Sequence, residues 1–436
     1  MRRREFLAAA AAVAFPARVR ASRKVIVVGA GLAGLAAALE LLESQHDVLL
    51  LEARARPGGR VETLRAPFAD EQYAEAGALF VPASHDLVVG TAKRLGIRLE
   101  PALPLFAANL MVAGGKRIAW DGYAALWNKH VERPVRVLQE AKLEAMSVAE
   151  LLRSQGAADE AVALLRVGFL DMMGEGIESY SALQLRERLA NGSGARLRIA
   201  GGAERLPQAM AAKLAGRIRY RTPVTRLEPG AWQAAVVAGA ERFAADHVVC
   251  TLPCPVLREM DLQGLSSEKR KALAALPYTS VARVFLQFGR RHWTEENLHV
   301  LTTTDGPVKW IFEHTATQPG RRGIVEAQLL GADARRLARL AEPERIAFAL
   351  GEVEKVFPGA GAHFERGASK CWDEDPFARG AFPYFPPGRM RALRAELARA
   401  EGRVHFAGEH TSAFPGWMEG ALASGMRAAR EIAEAT

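Results

Sequence analysis

From Lys24 the chain runs KVIVVGAGLAGLAAALELLESQHDVLLLEA, and three periodicities succeed one another within it. Val25 to Val28 is an unbroken apolar run, which predicts a short strand covered on both faces. Leu35 to Leu42 carries an Ala-rich helical spacing, and Val48 to Leu51 is a second fully apolar strand. Strand, helix and strand in that order predict a crossover unit and a parallel sheet. Residues 84–197 are expected to be mostly helical, as in VGTAKRLGI and SVAELLRSQ. HVVCTLP, from His247, reads as another buried strand ending in a turn. After Pro277 the texture changes: SVARVFLQF and GIVEAQLL are strand-like, and DARRLARLAEPERIAFALGEVEKVF predicts two amphipathic helices parted near Pro343. RVHFAGEH returns to strand and turn, and GALASGMRAAREIAEA closes as a helix. No repeat or low-complexity linker separates these stretches, so the domains are expected to interleave along the chain.

With 436 residues there is chain enough for two domains and a sizeable core, and 49% hydrophobic with 25% charged residues is ordinary globular composition. The net charge of +9 falls to +5 without residues 1–21, which hold five Arg and one Glu. That balance, with no long basic run elsewhere, predicts no nucleic-acid partner. The N-terminal MRRREFLAAAAAVAFPARVRAS has a basic head and a short apolar stretch, too short to span a bilayer and suited to an export signal. Arg3 and Arg4 followed by Phe6 and Leu7 resemble a twin-arginine address, although Arg2 stands where Ser or Thr is usual. Export machinery is then a partner, and a periplasmic or otherwise exported location is expected after folding with cofactor inside the cell. Three cysteines, Cys250, Cys254 and Cys371, give no disulfide framework, and the first two lack the His/Cys pair a metal site would need.

Gly29, Gly31 and Gly34 form G-x-G-x-x-G between the first strand and its helix. The first makes the tight turn, the second admits a pyrophosphate, the third lets helix and strand close up, and the phosphates meet the positive helix end. Glu52, ending the second strand, stands where an acid receives ribose hydroxyls. Immediately after it, Gly58-Gly59-Arg60 supplies a second close backbone approach and a guanidinium for pyrophosphate oxygens, which a nicotinamide dehydrogenase does not need.

Here the chain resembles the flavin-containing amine oxidoreductase family, which includes the monoamine oxidases. The resemblance is carried further by Gly77-Ala78 in EAGALF, Gly201-Gly202 in GGAERLPQAM, Pro223-Val224 in TPVTRLE, YFPPG from Tyr384, and GEHTSAFPGWMEGALASG from Gly408. It implies an α/β fold: a Rossmann-like FAD-binding domain of the amine oxidase type from residues 24–82, 198–278 and 372–436, with an inserted mixed α+β substrate domain from 83–197 and 279–371. It implies that Ala33, Glu52, Ala53 and Arg54 border the adenosine half of FAD, that Gly59 and Arg60 lie on the pyrophosphate side, and that Val224 offers its backbone to adenine. Gly77, Ala78, Leu79 and Phe80 would pass the flavin ring. Gly408 and Glu409 would reach its ribityl chain, and Trp417, Met418 and Ala421 would bring a helix end to it.

The resemblance further implies a slot of two aromatic rings, Trp417 and Phe382, through which a neutral amine meets the flavin, with Phe80 as a third substrate contact. Arg283 falls where a lysine is usual, and arginine cannot be tuned to neutrality; Lys309 is a candidate replacement. Gly380 and Ala381 stand where some members carry a flavin-linking cysteine, so FAD is expected to be noncovalent. Phe80 also occupies the place of a carboxylate-binding arginine in L-amino-acid oxidases, so an amine without a carboxylate is favoured unless an arginine enters from the helical insertion. His410 is expected to be a structural hydrogen-bonder. The implied reaction is hydride transfer from the amine-bearing carbon, with O2 or a periplasmic acceptor reoxidising the flavin. An L-amino-acid oxidase, a flavin desaturase or protoporphyrinogen oxidase-like enzyme, and a non-catalytic flavin-binding protein are the alternatives, and a homodimer stays open.

Overall fold

The computed structural model describes residues 22–102, 109–168, 170–262, 264–294 and 301–434; the export segment expected at 1–21 lies outside them. The first strand, β1 (Lys24–Val28), has Val25, Ile26 and Val27 wholly buried, as its apolar run requires. It passes through Gly29, whose φ of +98° suits glycine, into helix α1 (Leu32–Glu43). Strand β2 (Asp47–Leu51) then lies parallel to β1, pairing Val25 with Val48 and Val28 with Leu51. Strands Ile218–Arg219, His247–Cys250 and Val404–Phe406 complete an all-parallel five-stranded sheet with β1 near its centre. Three remote parts of the chain thus build one sheet, and the carboxyl ends of its strands open at one edge, where such sheets bind ligands.

The segment expected to be mostly helical contains helices, among them α2 (Ala182–Asn191), but also strands. Leu99–Pro101 joins a small sheet, while Asn109–Ala113 and Lys116–Ile118 form a hairpin around Gly114 and Gly115. Both glycines have positive φ, +55° and +71°, and a two-glycine turn between short apolar runs is a hairpin signal that helical periodicity nearby obscured. That hairpin forms one edge of a seven-stranded sheet; next to its other edge β3 (Val281–Phe288) lies antiparallel between Gly323–Leu330 and the edge strand Phe364–Cys371. The two helices that follow, Gly331–Ala338 and Glu342–Val356, are parted where expected, with Pro343 in the first turn of the second.

The last helix, α3 (Met418–Glu434), returns to pack on α1. A Cβ on Gly425 would stand 2.1 Å from the Ala33 carbonyl oxygen, so the contact of the two helices depends on that glycine. Between the parallel sheet, the seven-stranded sheet and α2 lies a cavity of about 1140 Å³, larger than the usual small-ligand pocket of roughly 300–1000 Å³.

Candidate active site

At one end the cavity meets the β1–α1 turn. A Cβ on Gly31 would meet nothing within 4 Å, whereas one on Gly34 would stand 1.9 Å from the Gly29 oxygen. Gly31 therefore faces open space, and Gly34 is where helix and turn touch. Helix α1 starts at Gly31 without a side-chain cap, so its first N–H groups remain available to an anion. Glu52 is 3% exposed and accepts hydrogen bonds from the N–H of Ala30 at 2.6 Å and of Arg54 at 2.8 Å, one to each oxygen. Each oxygen keeps a lone pair for a hydroxyl donor. Gly58, with φ of +105°, donates to the Ala30 carbonyl at 2.8 Å and so ties the second glycine turn to the first.

The cations here are answered by acids from distant segments. Arg54 pairs with Asp375, which also holds Lys370 at 2.9 Å. Arg60 pairs with Glu409 at 2.8 Å and donates to the Ala381 carbonyl at 2.7 Å. Burial opposes the charge on Arg60, but the Glu409 carboxylate outweighs it and raises the pKa. Glu409 also accepts from the Gly416 N–H at 2.8 Å, so its carboxylate is committed to Arg60 and to the turn that carries Trp417.

In the middle of the cavity Gly77 presses on the second turn, where a Cβ would lie 1.8 Å from the Arg60 oxygen. Arg283 is anchored behind it, donating to the carbonyls of Glu75 at 2.9 Å and Gly77 at 2.8 Å. Its Nε lies 3.3 Å from Glu326, a charge contact without hydrogen-bond geometry. The other Glu326 oxygen meets His314 Nε2 at 2.7 Å, while His314 Nδ1 accepts from the Glu75 N–H at 3.2 Å. Burial lowers the His314 pKa, so the ring is neutral and donates through Nε2. Arg283 is thus a fixed strut under the Gly77 turn.

At the other end aromatic rings gather. Phe80 meets Phe312 edge-on at 5.5 Å and Trp310 at 6.4 Å between ring centres. Trp417 rests edge-on against His85 at 5.0 Å. Arg188, from α2, places its guanidinium carbon 4.7 Å from the Trp417 ring centre and 5.9 Å from that of Phe382. The indole N–H groups of Trp310 and Trp417 are buried without a partner.

Of the residues proposed from sequence, Gly29, Gly31, Ala33, Glu52, Ala53 and Arg54 border the cavity, as do Gly59 and Arg60. So do Gly77 to Phe80, Val224, Arg283, Phe382, Gly408, Glu409, Trp417, Met418 and Ala421. Gly34 does not, because it is consumed in packing. Lys309 is not on the cavity wall, and neither is His410, whose pKa burial and Arg60 push down to about 3. Sequence reading missed Arg188, Arg196, Trp310 and Trp372. The last donates its indole N–H to the Ala76 carbonyl at 2.9 Å, supporting the Gly77 turn. Nothing local marks Arg188, since LQLRERLAN reads as a helix with a solvated charged face.

The chain belongs to the family of flavin-containing amine oxidoreductases, whose model matches residues 32–433. It is 29% identical to an L-amino-acid oxidase of Siganus canaliculatus over 96% of this chain and 86% of the relative. It is 30% identical to an L-amino-acid oxidase of Mus musculus over 95% of this chain and 71% of that one. Among solved structures it is similar to putrescine oxidase bound to putrescine, with a TM-score of 0.82 and 21% identity over 95% of this chain and all of the other. Cyclohexylamine oxidase from Brevibacterium oxydans aligns with a TM-score of 0.80 and 22% identity over 95% of this chain and 99% of its own. These structures share the fold. The chain is a flavin-dependent oxidoreductase acting on CH–NH bonds.

Proposed function

We propose that the protein binds FAD noncovalently along this cavity and oxidises an amine presented at Trp417 and Phe382. The carrying observation is that one continuous cavity joins the uncapped start of α1 and Glu52 to these two rings. The cradle suits the cofactor: Gly31 opens to the cavity, and the Glu52 oxygens keep lone pairs for ribose hydroxyls. Among the described residues no cysteine borders the cavity, which supports noncovalent binding. On this reading residues 24–82, 198–278 and 372–436 bind FAD, and 83–197 and 279–371 shape the substrate end.

Bound FAD supplies the acceptor for a hydride from the carbon bearing the amine. The protein orients that carbon between the Trp417 and Phe382 side chains, admits the amine in its neutral form and adds the apolar surfaces of Phe80 and Trp310 to the wall. The amine nitrogen loses its proton as the imine forms, and water then converts the imine to a carbonyl compound and ammonia or a smaller amine. The start of α3, where Met418 and Ala421 border the cavity, would stabilise negative charge after reduction through its helix dipole. Arg283 holds the Gly77 turn and brings a permanent charge to the cavity wall. Electrons pass on to O2 or a periplasmic acceptor, and the twin-arginine-like segment would export the folded holoenzyme. Anaerobic addition of aromatic, aliphatic and polyamine substrates and of amino acids to the purified flavoprotein tests the reading. At least one should bleach the flavin, and a flavin that none of them bleaches would refute it.

A further inference from the structure

The cavity wall treats its arginines unequally. Arg54 and Arg60 have Asp375 and Glu409. Arg188 has no carboxylate, hydroxyl or carbonyl accepting from its guanidinium among the described residues; the nearby charge is the like charge of Arg196, and Tyr180 is the other group it feels. The acid beside it in sequence, Glu187, is turned away and held by Arg394 at 2.7 Å. Gln184, one turn earlier on α2, uses its amide oxygen for the Phe385 N–H at 2.7 Å. Burial and Arg196 push the Arg188 pKa down to about 10, which leaves it charged at neutral pH.

A half-buried guanidinium on a cavity wall with no protein acceptor keeps its donors free for a ligand, and the faces of two rings contribute only about 0.5–2 kcal/mol each. The five N–H donors of that planar group match a carboxylate in a two-point contact. The Arg188 guanidinium reaches this position beside the two rings assigned to the reacting carbon, so the anion it receives must be carried close to the amine. Phe80 and Trp310 offer apolar rings on the cavity wall for the rest of the molecule.

We propose that Arg188 is the anion receptor of the substrate site and that the substrate is an amino acid, its carboxylate held by the Arg188 guanidinium and its apolar side chain laid against Phe80 and Trp310. This rests on the amine-oxidising reading of the site and reverses the expectation, drawn from Phe80, of an amine without a carboxylate. The receptor comes from α2, a different element from the Gly77 turn. It also disfavours a diamine, whose second ammonium would meet a like charge in a dry site.

The test uses the FAD-loaded protein and matched compounds: L-phenylalanine, phenethylamine, which lacks only the carboxylate, and putrescine. Anaerobic flavin reduction by L-phenylalanine should exceed that by phenethylamine by about 100-fold in kcat/KM, the scale of a buried charge pair. Arg188→Gln should reduce that ratio about 100-fold, chiefly through KM, and Arg188→Lys should restore part of it. Independently of turnover, 3-phenylpropionate should perturb the flavin spectrum of the native protein and bind at least about 30-fold more weakly to Arg188→Gln. A native enzyme that prefers phenethylamine or putrescine, or an Arg188→Gln variant with an unchanged ratio and unchanged 3-phenylpropionate binding, would overturn the proposal. If no amine or amino acid reduces the flavin while 3-phenylpropionate still binds through Arg188, the amine-oxidising reading fails and the receptor stands.

Discussion

Around the glycine turns, Arg54 and Arg60 are joined to Asp375 and Glu409, and Glu52 to two backbone N–H groups. Around Trp417 and Phe382, the Arg188 guanidinium borders the cavity with no acceptor among the described residues. The charged side chains of the first region are answered before any ligand arrives, while the second holds a cation that no protein acid answers. Stability and function therefore draw on different ends of one cavity, as expected where a binding site retains local destabilisation.

The largest expected effect is at the satisfied end. Glu409→Gln leaves the Arg60 guanidinium without its acid and should lower unfolding free energy by about 3–5 kcal/mol, read by denaturant titration of the holoenzyme together with its flavin content. Asp375 follows. Burial alone would raise its pKa, but Arg54 and Lys370 outweigh it and hold the carboxyl at about 2, below its ordinary 3.8. Its stabilisation, about 2 kcal/mol, is therefore complete at neutral pH and is lost as pH falls through roughly 4 toward 2. Asp375→Asn should remove it at neutral pH and flatten the acid limb of the stability profile.

At the substrate end the sign reverses. Arg188→Gln removes an unanswered cation and should stabilise the fold by about 1 kcal/mol, a figure reduced for cavity water, even as it impairs amino-acid binding. A loss of stability comparable to that of Glu409→Gln would erase the distinction between the two ends. Smallest in stability is Trp417→Ala, expected to retain FAD and shift the melting temperature little while raising KM about tenfold. Release of flavin by this variant would place Trp417 with the cofactor-binding end instead.

Much of the nucleotide end was legible in sequence because its determinants are local. A strand, a G-x-G-x-x-G turn, a helix and an acid at the next strand end obey backbone geometry at fixed spacing, and Gly29, Gly31 and Glu52 stand accordingly. Gly34 lies in the first turn of α1, where it serves contact with Gly29 as the third glycine of the motif requires, and it does not border this cavity. The hairpin at Gly114 and Gly115 was obscured because helical periodicity on both sides dominated the window.

What the amino-acid order determined by itself was the parallel-sheet unit and its glycine turn, each set by spacing and residue type over short range, whereas Phe382 and Trp417 were marked only by resemblance to a family. Tertiary structure alone decided which charges are answered. Arg54 finds its acid 321 residues away, Arg283 is pinned by carbonyls more than 200 residues upstream, and the acid adjacent to Arg188 is drawn off by Arg394. Charge partners are chosen by proximity in space, where burial makes every pairing or its absence costly, and the local order of residues carries no record of that choice.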